Sequence, residues 1–185
     1  MELLAGVVTV DDVDDFVERL DAVGDDHGVT VQAFDARYVV DRHHLERAVE
    51  LADRAIARGE NVARDRAVEI LCFAAGRRQI NRAFEMGVSA GELPVVVLVD
   101  APPDADAGDA TSGRDGTDVD HTAAEREAAA TVESMPAFEP APVLGEYDPD
   151  RVRDFFEVGS AELATVGGDL PSLVHERVAL LPVEK

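Results

Sequence analysis

Arg77, Arg78 and Arg82 crowd one short stretch, Gly76-Arg77-Arg78-Gln79-Ile80-Asn81-Arg82, and their guanidinium groups are the most usable chemistry in this chain. A guanidinium grips phosphate through two parallel N–H donors and stacks on the face of a base. Gly76 breaks the apolar pattern ahead of it, so Gly76-Arg77-Arg78 reads as the start of a helix. There, free backbone N–H groups and the helix dipole favour an anion. On such a helix Arg78, Asn81, Arg82 and Glu85 share one exposed face, with Arg77 at its entrance. That face suits single-stranded nucleic acid. The competing reading is a solvated surface on which Arg82 and Glu85 simply pair, each such pair giving about 0.2–1 kcal/mol.

Other reactive residue types point to no reaction. The sequence has no GxxxxGK phosphate loop, and no GxGxxG follows its first strand. Cys72, the only cysteine, lies between Leu71 and Phe73 and reads as a core thiol; an intramolecular disulfide is excluded. His43 and His44 point about 100° apart on a helix, so they cannot jointly hold a metal without other ligands, and they read as a solvated first turn. His175 beside Glu176 reads as an ordinary polar pair. No catalytic residue, metal ligand or cofactor motif is assigned, and the chain reads as a non-enzyme.

Charge frames the arginines. The net charge is -22, from 17 Lys+Arg against 39 Asp+Glu, yet residues 37–82 hold ten of the basic residues and only seven acids. A basic island in an acidic protein is where an anionic partner would touch. Sixteen of the 17 basic residues are Arg, and the acids are rich in Asp. This is the profile of adaptation to high salt, where the Debye length falls to ~3 Å and carboxylate repulsion is screened. A halophilic cytoplasm is the expected setting. No leader opens the chain, and no apolar run reaches the ~18 residues of a membrane span.

The elements that must hold these residues follow from periodicity. Leu3 to Val10 suits a strand, Asp11 and Asp12 can cap a helix carrying Val13, Phe16, Val17 and Leu20, and Gly24 and Gly28 bracket a turn. Val29 to Phe34 alternates as a half-buried strand does, and Tyr38 to Val40 extends it or starts a neighbour. Asp41 caps a helix with Leu45, Val49, Ala52 and Ile56 inward and Glu50, Arg54 and Arg58 paired outward; Gly59 ends it. A second helix spans about Arg64 to Ala75. Val95 to Val99 is a continuous β-branched run, hence a central strand covered on both faces. Pro142 to Tyr147 offers another strand, Asp150 to Glu157 a helix, and Leu170 to Leu181 a last helix striped by Leu170, Val174, Val178 and Leu181. Residues 102–140 shift to Asp, Ala, Gly, Thr and Pro and read as a mobile acidic insertion, with at most a transient helix over Ala123 to Val132. The whole, 1–185, reads as one α+β domain of two layers, a mixed or mostly antiparallel sheet flanked by helices.

One order of motifs is recognisable. Gly59-Glu60-Asn61-Val62-Ala63, then Glu69-Ile70-Leu71, then Ala75-Gly76-Arg77-Arg78-Gln79-Ile80 resembles the PRPK-binding protein family. Leu173-Val174-His175-Glu176-Arg177-Val178-Ala179-Leu180-Leu181 is similar to that family's terminal helix. The resemblance implies the small regulatory subunit of the KEOPS complex, which installs threonylcarbamoyladenosine beside the anticodon of tRNA. It implies a non-catalytic, cytoplasmic adaptor with two attachments. The first is the kinase-like ATPase PRPK, met by the terminal helix, with Val174, Val178 and Leu181 as candidate contacts. The second is tRNA, taken by its single-stranded 3′ CCA end at Arg78 and Ile80, with Arg77, Arg82 and Arg66 assisting. The alternative is a purely protein-binding regulator that never touches RNA. Net charge -22 is unusual for a tRNA binder, since phosphate contacts weaken steeply as salt rises. A small, sharply placed patch reading an unpaired end is therefore expected.

Overall fold

The computed structural model describes residues 1–103 and 121–181. Four strands, β1 (Glu2–Val10), β2 (Thr30–Asp35), β3 (Gly91–Asp100) and β4 (Phe138–Pro140), form one sheet in the order β2-β3-β1-β4. Every neighbouring pair is antiparallel. β3 is the central strand its β-branched run predicts. Leu93, Val95, Val97 and Val99 face one core, and Val96 and Leu98 the other. Period-two alternation sends successive side chains to opposite faces, so a strand apolar at every position must be covered twice.

That double cover revises the layering. The α+β class stands and the sheet is antiparallel, but helices lie on both faces, giving three layers rather than two. On one face are α1 (Val13–His27), with Phe16, Leu20 and Val23, and α5 (His121–Glu133), with Ala128, Ala129 and Val132. On the other are α2 (Arg42–Arg58), α3 (Arg66–Ala74), α6 (Pro149–Phe155) and α8 (Leu170–Leu180), whose Leu45, Ile70, Phe155 and Val174 share a core with Phe34. α4 (Ile80–Ala83) and α7 (Ser160–Thr165) are short connectors.

The caps act as the sequence suggests. Asp12 accepts the Asp14 and Asp15 N–H groups at 2.9 and 3.1 Å, and Asp41 accepts that of His44 at 2.8 Å. Several details differ. α1 runs through Gly24 to His27, and Val17 and Ile56 face solvent; Leu45, Ala48, Leu51 and Ala52 form the inward face of α2. Tyr38 to Val40 is no strand, because the Asp35 carboxylate takes the Arg37 N–H at 3.0 Å and turns the chain into a 3-10 turn over Ala36–Tyr38. Pro142 to Tyr147 is no strand either; the pairing occurs earlier, at β4.

The expected insertion is shorter at its far end. Residues 104–120 lie outside the described residues, but α5 and β4 are integral parts of the fold. Glu125 is buried and accepts the Ala101 N–H at 2.9 Å. Small side chains let α5 approach the sheet closely, so it packs without a strong apolar stripe. Among the described residues, no helix is long and apolar enough to cross a membrane.

Candidate nucleic-acid and partner interface

α3 carries the basic stretch, and its ends decide where each arginine goes. Asp65 caps its start by accepting the Val68 N–H at 3.0 Å. Its end is Gly76, at φ 59, with Gly76 N–H donating to Phe73 O and Arg77 N–H to Cys72 O, both at 3.0 Å. Backward bonds of this kind close a helix through a left-handed residue. Gly76-Arg77-Arg78 thus terminates one helix instead of starting the next. α4 begins only at Ile80, lacks a side-chain cap and is a single turn. The expected anion site at a helix start is therefore absent, and Arg78 and Arg82 do not share a helical face.

The two adjacent arginines diverge. Arg77 folds inward: its Nη2 donates to Phe155 O at 2.5 Å and to Glu157 Oε1 at 3.0 Å, and its Cζ lies 5.8 Å from the Phe155 ring centroid. Arg78 is exposed and has no ion pair among the described residues. It lines a cleft of about 460 Å³ between the end of α2, residues 60–62, α3 and Leu181. Cys72 and Phe73 contribute apolar lining, and Arg54 and Arg58 reach it from the last turns of α2. Arg54 is held by Glu50 at 2.5 Å, whereas Arg58 has no ion pair among the described residues. The spacing of Arg54 and Arg58 was legible as a helix face, but nothing local linked that face to Arg78.

Other expected site residues sit elsewhere. Arg66 is mostly buried and spans Asp53 (2.7 and 2.9 Å), Asp100 (2.5 Å to the carboxylate, 3.2 Å to the carbonyl) and Thr30 Oγ1 (2.8 Å). It clamps α2, α3, β2 and β3 together, away from Arg78. Arg82 is exposed, pairs with Glu85 at 3.0 Å and lines a separate cleft with Tyr38, Asp148 and Arg151. Ile80 is half-buried at the edge of the core.

The cleft holds a carboxylate as well. Glu69, 1% exposed, accepts the Val62 and Ala63 N–H groups at 3.0 and 2.8 Å, which fixes the loop after Gly59. Burial, and then the Glu69 charge, push the Cys72 thiol up to about 11, so it stays protonated and unreactive at neutral pH. This matches the reading of a core thiol.

His43 is exposed as expected, but His44 and His175 correct their expectation. His44 is fully buried rather than solvated, with Nε2 2.7 Å from Ala74 O. Burial lowers its pKa to about 4, against the opposing Ala74 bond, so the ring is neutral. His175 pairs not with Glu176 but with Asp41, at 3.0 Å, and stacks edge-to-face on His43 at 4.9 Å. Among the described residues, no group of three or more His, Cys, Asp or Glu could hold a metal ion.

The terminal stripe also points inward. Val174 and Val178 are fully buried and Leu181 nearly so, all in this chain's own core. The exposed residues of α8 are Ser172, Glu176 and Leu180, the last 41% exposed.

In comparisons with known proteins, a family model described as kinase binding protein CGI-121 matches residues 10–181. No curated protein gave a match.

Proposed function

This chain belongs to the CGI-121 family of kinase-binding proteins, and from that membership we propose a non-catalytic regulatory subunit of a KEOPS-type complex, acting in tRNA threonylcarbamoyladenosine modification in a salt-rich cytoplasm. In this reading it binds a PRPK-type kinase-like ATPase and recruits tRNA by its 3′ CCA end. The observation that carries it is the cleft under Arg78. Two unpaired guanidinium groups, Arg58 and Arg78, flank an apolar lining that includes Phe73. Such a cleft suits an unstacked terminal base with its phosphate at the mouth. Stacking and short-range guanidinium bonds survive salt better than long-range attraction does. Arg77 supports this site as a brace, and Arg66 and Arg82 lie beyond it. The kinase contact falls to the outer side of α8, at Glu176 and Leu180.

Two measurements test the proposal. In a gel shift, intact tRNA is retained, tRNA lacking the CCA end is not, and Arg78→Glu abolishes the difference. Equal retention of both RNAs counts against recognition of the CCA end, and retention of neither points instead to a regulator that binds protein alone. In co-purification, Leu180→Glu releases the kinase-like partner while the chain stays folded; unchanged recovery rules out the outer side of α8.

A further inference from the structure

We propose that the free edge of β2, with the groove beside it, takes up an extended basic-and-apolar segment of another protein as an added strand. β2 pairs only with β3, so its other edge is unpaired among the described residues. An open strand edge is a template for another strand unless it is short, charged, bulged or covered. β2 has six residues, no Pro and no Lys. Beside it runs a groove of about 650 Å³ lined by Val31, Gln32 and Ala33. One wall is α1, through Val13 and Val17; the other is α3, through Val68 and Leu71. Phe84 contributes to the lining and is 52% exposed, and Val17 is 40% exposed, an unusual outlay of apolar surface on so acidic a protein.

The charge around the groove selects the occupant. Asp14, Glu18, Asp21 and Asp65 all line it, no Arg or Lys does, and none of the four pairs with a base among the described residues. Burial, together with Asp65, Asp25 and Glu18, raises the pKa of the Asp21 carboxyl. Four uncompensated carboxylates exclude nucleic acid. They favour a segment that offers Arg or Lys to the rim and Val, Ile or Leu to the floor. The edge favours an extended segment over a helix, because only an extended backbone has free N–H and C=O groups to exchange with β2. This surface is separate from the Arg78 cleft and does not depend on how that cleft is used.

The test uses a blocked peptide of about ten residues, the length of a long strand, alternating arginine with valine or threonine. One control carries proline at alternate positions; another carries glutamate for arginine. Fluorescence anisotropy reads affinity, and amide hydrogen exchange reads residues 31–33. The alternating peptide binds and slows exchange at those residues, whereas neither control does. Phe84→Asp and Asp21→Arg, both outside the core, each weaken binding at least about tenfold, and Val17→Lys repeats the loss at an independent position. Absence of binding overturns the proposal. So does equal binding of the proline peptide, which reduces the effect to charge, or affinity indifferent to Phe84→Asp and Val17→Lys.

Discussion

Gly76 lies against Arg177: a Cβ added at Gly76 would sit 3.5 Å from the Cβ of Arg177. The turn that aims Arg78 into its cleft therefore rests on the terminal helix. Arg177 is itself fixed, its Nη2 donating to Glu162 at 2.7 Å. A ligand at Arg78 and a partner on α8 would lean on the same support.

Gly76→Ala places a side chain at φ 59, in the left-handed region. The expected cost is about 1–2 kcal/mol of stability, read as a lower urea midpoint with unchanged slope. The three-dimensional contact with Arg177 is ordinary at that distance, so the loss comes from backbone strain. An unchanged midpoint contradicts this account.

Arg77 and Arg78, neighbours in sequence, give opposite phenotypes. Arg77→Ala strips a donor from the Phe155 carbonyl and costs about 1–3 kcal/mol. Arg78→Ala leaves stability within about 0.5 kcal/mol, as an exposed substitution does, and lowers RNA retention. Thermal unfolding and filter binding, run on both variants, separate the brace from the contact.

His44 makes the fold acid-sensitive. Its pKa is about 4 in the folded chain, below the 6.5 of a solvated imidazole. The unfolded chain therefore binds the proton first. This contribution is complete above about pH 6.5 and is lost as pH falls toward about 4, amounting to roughly 3 kcal/mol. Denaturant titrations across that range show the slope, and His44→Gln flattens it.

Gly6 is required by its neighbour across the sheet. A Cβ there would lie 2.6 Å from Glu139 O and 2.6 Å from Phe138 Cζ. Gly6→Ala displaces β4 and costs about 1–3 kcal/mol, as overpacking does. Amide exchange at residues 138–140 locates the damage.

Much of the fold was readable in local pattern. The β-branched run of β3 and the caps at Asp12 and Asp41 each carry their own signal. α5 and β4 were not readable as packed elements, because Ala128 and Ala129 bury little area each and the preceding composition resembles a linker. The terminal stripe revealed which side of α8 is apolar, but not that Val174 and Val178 are covered by their own chain. That Arg58 and Arg78 line one cleft was hidden for another reason: twenty residues separate them, and only the packing of α3 against α2 puts both on its lining.

Glu69 gives that cleft a direction. Its carboxylate holds the Val62 and Ala63 amides from inside, while Arg58 and Arg78 are exposed to solvent. An anionic guest is thus drawn to the arginines yet repelled from the buried acid. With Glu60 also on the lining, the arrangement favours a molecule that enters by its uncharged end and leaves its charge by the arginines. If the cleft receives an RNA end as proposed, this arrangement would work as a polarity filter, favouring a chain terminus in one orientation over a free polyanion such as pyrophosphate.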